Sequence, residues 1–159
     1  ELLRTESMTN LGKIEVAITL NNTPLRKLSS GELNRLKLAA LVIKSQHILD
    51  SNGGVLILDE IDSNLSGKES ESVGKLLYIL SSTYQILSIS HQPQLTSFAN
   101  QHFLVKKENG ISSIIELSEQ SERQNEIARM ISGNDISDKA LGFADELIIN
   151  SNSYKDSCG

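Results

Sequence analysis

The segment Val55-Leu56-Ile57-Leu58-Asp59-Glu60 joins a continuous apolar run to two adjacent acidic residues. Such a run is typical of a strand that is buried on both faces of a parallel sheet. In open parallel sheets, ligands bind in the crevice beyond the carboxyl ends of the strands. The segment therefore predicts an α/β fold with a candidate binding site at Asp59 and Glu60.

Two adjacent acids at a strand end can divide the work of hydrolysing a nucleotide. Asp59 would hold a Mg²⁺ ion, chiefly through water, because this ion keeps most of its hydration shell. Glu60 would polarise the water that attacks the γ-phosphate. The pattern is short, and an acidic pair that only ends a strand and begins a loop has the same sequence.

A second buried strand is predicted from Gln85 to Ser90, and His91 follows it. Between the two strands, Ser66-Gly67 precedes a helix with Val73, Leu76, Leu77 and Leu80 on its inner face. A histidine at the carboxyl end of a strand can hydrogen-bond a phosphate oxygen. A single histidine is nevertheless more often structural than functional.

The string Leu28-Ser29-Ser30-Gly31-Glu32 precedes a further predicted helix, with Leu33, Leu36, Ala40 and Ile43 on its inner face. Small residues allow the backbone to approach an anion, and the free N–H groups of a helix N-terminus carry partial positive charge. Ser29 adds a hydroxyl group. An ordinary helix cap with a glutamate nearby would give the same string.

The rest of the chain predicts a strand from Ile14 to Leu20 and a hairpin around Asn109-Gly110. Two C-terminal helices follow, with Ile127, Met130 and Ile131 on one and Ala140, Leu141, Ala144, Leu147 and Ile148 on the other. Alternating strands and helices indicate one α/β domain with a mostly parallel sheet, over residues 1–149. Residues 150–159 are polar and are expected to form a disordered or frayed tail.

Composition limits the classes of function. The chain has 159 residues, 38% hydrophobic and 22% charged, which suits one soluble globular domain. Its net charge of -5 excludes a nucleic-acid clamp that uses the whole chain. No apolar run approaches the roughly 20 residues of a membrane span. The single cysteine, Cys158, excludes a disulfide framework and fits a reducing, cytoplasmic setting.

The order of these segments resembles the C-terminal half of the head of an ABC ATPase. Leu28 to Glu32 is similar to the signature motif of that superfamily, and Val55 to Glu60 to its Walker B strand. Ser63 to Gly67 is similar to its D-loop, and His91 to its switch histidine. Ser30 departs from the pattern, since the signature motif usually has glycine at this position.

The resemblance is narrower around the D-loop, the switch histidine and the C-terminus. Asp62 to Gly67, Ser90 to Gln94 and the stretch from Arg123 to Ile148 are similar to the RecN family, over roughly Ile14 to Ile149. RecN proteins are SMC-like ATPases of the bacterial cytoplasm and nucleoid that act in DNA double-strand break repair and recombination. Their head is split, with a coiled coil between its N-terminal and C-terminal lobes.

The resemblance also implies cofactors and partners. No G-x-x-x-x-G-K-[ST] string occurs in the sequence, so the loop that binds the phosphates of ATP would lie on the N-terminal lobe of the same head. Asp59, Glu60 and His91 would serve the ATP and Mg²⁺ of their own head. Ser29, Ser30 and Gly31 would serve the ATP that is held by a second head protomer. Glu32, Ser66 and Gly67 are further candidates for nucleotide binding.

Three interpretations follow from these motifs. In the first, the full-length protein binds DNA and hydrolyses ATP, whereas this chain alone is inactive. In the second, the chain belongs to the nucleotide-binding domain of an ABC transporter. In the third, the domain keeps the fold but mediates interactions without catalysis.

Overall fold

The computed structural model describes residues 2–8, 14–47, 53–59, 61–62 and 65–158. Glu60, Ser63 and Asn64, which the resemblance assigns to the Walker B strand and the D-loop, lie outside these residues. The first half contains β1 (Leu2–Met8), β2 (Ile14–Leu20), β3 (Thr23–Pro24), α1 (Ser30–His47) and β4 (Val55–Asp59). The second half contains α2 (Gly67–Leu80), β5 (Gln85–Ile89), α3 (Pro93–Thr96), β6 (Phe103–Glu108), β7 (Ile111–Glu116), α4 (Gln120–Ser132) and α5 (Asp138–Cys158).

The N-terminal sheet has the strand order β1-β2-β3 and is antiparallel. The predicted strand from Ile14 to Leu20 is confirmed as β2. β1 was not expected, because its residues have only weak alternation. It pairs with β2 along its whole length, from Leu2 opposite Leu20 to Met8 opposite Ile14, and this ladder satisfies the backbone groups that face β2.

The central unit consists of β4 and β5, which are parallel and joined through α2. Its buried cluster lies between the strands and the helices and comprises Leu38, Ile61, Leu65, Val73, Leu77, Leu80 and Leu95. Leu56, Leu58 and Ile86 pack against this cluster from one face of the strand pair. The opposite face is open, and Ile57 is 71% exposed. Burial on both faces, expected from the apolar run, is therefore not complete within the described residues.

The inner face of α1 differs from the prediction. Leu38 is buried in the central cluster, and Leu41 and Val42 pack against it, whereas Ile43 is 58% exposed. The helix is apolar around much of its circumference, so the spacing of its apolar residues does not define one face. Contact with α2 selects the face that is buried.

The hairpin β6–β7 is confirmed, with Phe103 opposite Glu116 and Glu108 opposite Ile111. Asn109 and Gly110 connect the strands with positive φ angles of 52° and 81°. A two-residue turn with positive φ at both positions matches the right-handed twist of the strands, and Asn-Gly is the pair that adopts it most readily. The turn chemistry alone was therefore sufficient to predict this element.

The C-terminal helices α4 and α5 pack against each other around a second cluster of Ile127, Ala128, Ala140, Ala144 and Ile148. The expected tail from Asn150 does not match the structure, because α5 continues to Cys158. Ser151 is buried, and the Tyr154 ring packs edge-on against Tyr78 and Phe98. These contacts extend the helix through a polar sequence. Among the described helices, none has the length and apolar character required to cross a membrane.

Candidate functional site

Asp59 and His91 lie at the same edge of the central strand pair. Asp59 is the last residue of β4, and its register partner on the parallel strand β5 is Ile89. His91 follows two residues later, so both side chains lie beyond the carboxyl ends of adjacent strands. This edge is the usual ligand position in an open parallel sheet. Glu60, the predicted partner of Asp59, is outside the described residues.

Asp62 is a buried acid at this edge and is completely excluded from solvent. Its Oδ2 atom accepts hydrogen bonds from Ser90 Oγ at 2.5 Å and from the backbone N–H groups of His91 and Gln92 at 3.3 and 3.2 Å. The loop that follows β5 is thus attached to the segment that follows β4. Asp62 therefore holds the backbone of the predicted switch histidine.

The side chain of His91 extends from this loop into solvent and is 65% exposed. Its Nδ1 atom lies 3.9 Å from Asp62 Oδ1, which is buried and accepts no hydrogen bond from any residue that the structure describes. The distance exceeds that of a normal hydrogen bond, which is about 2.9 Å for N–H···O. One ring nitrogen of His91 therefore faces a buried carboxylate oxygen.

Ser66 and Gly67, the end of the predicted D-loop, begin α2. Ser66 forms a capping box with Glu69, in which Ser66 Oγ accepts from the Glu69 N–H and Glu69 Oε2 accepts from the Ser66 N–H at 2.9 Å. A Cβ atom at Gly67 would lie 2.9 Å from Nε2 of Gln94, on α3. The D-loop end and the switch segment are therefore in direct contact, and glycine permits this approach.

Ser29, Ser30, Gly31 and Glu32 form the N-terminus of α1, as predicted. Glu32 Oε2 accepts hydrogen bonds from the N–H and hydroxyl of Ser29, at 2.9 and 2.7 Å. The bond from the Ser29 hydroxyl lowers the pKa of Glu32 most, and the bond from the Ser29 N–H lowers it further. The charge of Arg35 makes a smaller contribution in the same direction. Gly31 is buried and Ser30 is exposed. In this structure the segment is a helix cap, and the Ser29 hydroxyl donates its hydrogen bond to Glu32.

Arg35, on α1, lies beside Lys68 and Glu69 in the first turn of α2. The pKa of Glu69 is lowered chiefly by its hydrogen bonds to Ser66, and the charge of Arg35 also contributes. A shallow cavity between the helices is lined by Arg35, Lys68, Glu69, Ser72, Val73 and Leu76.

The donors in the described part of the chain fit a hydrated Mg²⁺ ion rather than a metal that needs an all-protein cage. Among the described residues, no group of three or more histidine, cysteine, aspartate or glutamate side chains could hold a metal ion. Asp59 presents one exposed carboxylate at the strand end. Mg²⁺ is usually held by one or two carboxylates together with water and substrate phosphates. Asp59 therefore fits this ion as one ligand among several.

Sequence reasoning assigned no role to Asp62, although its contacts organise this edge. One signal was present, since Asp62 is a third acid shortly after the apolar run of β4. Its burial and its bonds to Ser90, His91 and Gln92 depend on a pairing between distant segments, and the local pattern does not encode that pairing.

Curated relatives of this chain are DNA repair proteins. The chain is 43% identical to the DNA repair protein RecN of Helicobacter pylori (strain ATCC 700392 / 26695) over 145 residues, which cover 91% of this chain and 27% of the relative. It is 37% identical to RecN of Haemophilus influenzae over 129 residues, with 79% and 23% covered. No protein-family model matches the chain. The chain thus spans about a quarter of the length of these relatives.

Solved structures with the same fold are heads of SMC proteins. One is an SMC ATPase described for ATP-driven dimerization and DNA-stimulated activation, with a TM-score of 0.54, 19% identity and 83% of each chain covered. Another is the Smc head domain with a coiled coil and joint of Pyrococcus yayanosii, with a TM-score of 0.57, 18% identity, and 91% of this chain and 26% of that chain covered. The chain therefore shares the fold of these SMC structures. The extended identity to the repair proteins shows that the chain belongs to the RecN family.

Proposed function

We propose that this chain is the C-terminal lobe of an ATP-binding and ATP-hydrolysing head that acts in DNA double-strand break repair and recombination. The observation that carries the proposal is that Asp59 ends β4 and His91 follows the paired parallel strand β5, at the same carboxyl edge, in a chain of the RecN family. The fold it shares with SMC heads supports the same function. The proposed place of action is the cytoplasm, at the nucleoid.

The open face of the strand pair supports a second lobe that completes the head. Val55, Ile57, Leu87 and Ile89 are 62%, 71%, 53% and 58% exposed and alternate with residues that face the core. A parallel sheet is normally covered on both faces, and two strands alone are marginally stable. The N-terminal lobe, with its phosphate-binding loop, is the proposed cover.

The proposed site divides its work among three residues. Asp59 would be a ligand of Mg²⁺, which neutralises charge on the β- and γ-phosphates when it is bound. Glu60 would orient and polarise the attacking water, as the RecN resemblance implies. His91 would contact the γ-phosphate from the adjacent strand, where its exposed ring is accessible to a nucleotide.

The N-termini of α1 and α2 would form the surface that meets a second head. Ser29, Ser30 and Gly31 begin α1, and Ser66 and Gly67 begin α2. A helix N-terminus attracts anions through its free N–H groups. Ser29 would have to release Glu32 before its hydroxyl could contact the phosphate of the partner head. ATP would thereby join two heads, and hydrolysis would separate them.

The test compares ATP turnover by this chain and by the full-length protein. We expect no turnover from the 159-residue chain, because it lacks a phosphate-binding loop, and steady turnover from the full-length protein. In the full-length protein, Asp59→Asn and His91→Ala should each reduce kcat by about 100-fold or more, the usual effect of losing one electrostatic contact to the transition state. Asp135→Asn, an exposed acid between α4 and α5, is the matched control and should keep wild-type turnover.

Two outcomes would count against the proposal. Appreciable turnover by the chain alone would show that a different site hydrolyses ATP. Full activity of the Asp59→Asn and His91→Ala proteins would show that this edge does not serve the nucleotide and would favour an interaction domain without catalysis. The transporter alternative has no support from the relatives found, which are repair proteins and SMC heads.

A further inference from the structure

Asp62 has no part in the proposed chemistry, yet it is the fully buried acid beside the site. Its side chain has no exposed surface, while the adjacent His91 ring is 65% exposed. Burial of a carboxylate is costly unless hydrogen-bond donors or a positive charge compensate it. The partners of its two oxygen atoms therefore indicate its role.

The two oxygens of Asp62 have different surroundings. Oδ2 accepts hydrogen bonds from Ser90 Oγ and from the backbone N–H groups of His91 and Gln92. Oδ1 is buried and accepts none from the described residues. Oδ2 thus holds the loop backbone, whereas Oδ1 can accept a hydrogen bond from a further donor.

His91 Nδ1 is the group placed to reach that oxygen. It lies 3.9 Å from Oδ1, and an approach of about 1 Å would give a normal N–H···O hydrogen bond. The ring is 65% exposed, so packing does not enclose it on all sides. When Nδ1 faces Asp62, the opposite nitrogen, Nε2, points away from the buried acid.

We propose that Asp62 is a positioning residue for His91. Asp62 holds the loop backbone through Oδ2, and its Oδ1 atom accepts a hydrogen bond from the Nδ1–H group of the imidazole. This inference rests on the proposed function, in which Nε2 is then the atom presented to the γ-phosphate. A neutral ring held in this way accepts a proton at Nε2, and a ring with protons on both nitrogens donates to the phosphate. Carboxylates that orient a functional histidine through its second nitrogen act in the same manner.

The first test determines which nitrogen of His91 carries the proton. Solid-state ¹⁵N NMR of the full-length protein, labelled only at histidine, would be recorded about two pH units above the ordinary histidine pKa of about 6.5. The His91 signals are those lost in His91→Ala. We expect a protonated Nδ1 in the wild type and a shift toward the Nε2–H form in Asp62→Asn, because an amide presents a donor to Nδ1.

Ser90→Ala is the matched control for this experiment. It removes one bond to Oδ2 but leaves the carboxylate in place, so Nδ1 should stay protonated. A wild-type ring protonated at Nε2 alone would overturn the proposal without any variant having to fold. An Asp62→Asn ring with an unchanged Nδ1 proton would overturn it as well.

The second test is a double-mutant cycle on ATP turnover by the full-length protein. Asp62→Asn should lower kcat by about 10-fold or more with little change in KM, the usual size of an effect transmitted through a positioned side chain. Added to His91→Ala, it should cause no further loss, because its effect passes through the ring. Independent, multiplicative losses would overturn the proposal in favour of a merely structural acid. Absence of turnover in the wild type would instead defeat the proposed function, and the NMR result would still decide the Asp62–His91 contact.

Discussion

Ser151 Oγ on α5 donates a hydrogen bond of 2.9 Å to the backbone oxygen of Ser97, at the end of α3. Both residues are buried, with exposures of 0% and 2%. Lys155, one turn later on α5, donates to Asn100 Oδ1 at 3.1 Å. The C-terminal helix therefore supports the segment that follows His91, at Ser97 and Asn100.

Replacement of Ser151 by alanine should destabilise the 159-residue chain. The change leaves the backbone oxygen of Ser97 without the hydroxyl donor that it shares with the oxygen of Ile148, and an unpaired buried polar group costs about 1–3 kcal/mol. Urea unfolding should show a lower midpoint with an unchanged slope. Ser153→Ala is the control, since this exposed serine donates to Ile149 of the same helix and should change stability by less than about 0.5 kcal/mol. Equal losses in the two variants would show that α5 does not support the switch segment.

Replacement of two helical glycines by alanine should change the stability of the chain in opposite directions. A Cβ atom at Gly74, on α2, would lie 2.6 Å from Cδ2 of Phe98, whereas a Cβ atom at Gly142, on α5, would have no neighbour within 4 Å in the described part of the chain. Gly74→Ala should cost about 1–3 kcal/mol through overpacking, offset in part by a gain of up to about 1 kcal/mol in helix propensity. Gly142→Ala should show only the gain, at most about 1 kcal/mol. The melting temperatures of both variants check this contrast, and a stabilised Gly74→Ala protein would contradict it.

Elements with strong local signals could be predicted from the sequence. The apolar run of β4, the spacing of Val73 and Leu77 on α2 and the Asn109-Gly110 turn each follow from short-range chemistry, and the structure confirms them. The face that α1 buries could not be predicted in this way. Contact with α2 selects Leu38 over Ile43 among several apolar residues.

The candidate site was predictable only in part, for the same reason. Asp59 ends one apolar strand and His91 follows another, so a sequence pattern identifies them and parallel pairing brings them to one edge. Asp62 and Ser151 are polar residues whose burial depends on segments far away in the chain, at Ser90 and Ser97. No local pattern distinguishes them from exposed loop or tail residues.

Acidification below about pH 6.5, the ordinary histidine pKa, should destabilise the chain through His102. Burial lowers the pKa of His102, and the charge of Arg123 lowers it further, while Glu126 acts in the opposite direction. The unfolded chain therefore takes up a proton at this residue more readily than the folded chain, and the free energy of unfolding decreases as pH falls from the unfolded pKa toward the folded one. Urea midpoints at about pH 7 and about pH 5 should differ more for the wild type than for His102→Gln. Equal differences would show that His102 does not titrate differently in the two states.

The capping boxes of α1 and α2 should add a second loss of stability at lower pH. The hydrogen bonds from Ser66 lower the pKa of Glu69, so this contribution is present above the ordinary glutamate pKa of about 4.3 and is lost as pH falls through the lower, folded value. Glu69→Gln keeps a residue that can complete the box but cannot titrate. Its stability near neutral pH should stay close to that of the wild type, and its acid-induced loss should be smaller. Urea midpoints from about pH 6 down to about pH 3 measure the difference, and identical profiles for the two proteins would show that the Ser66–Glu69 bonds are not retained in solution.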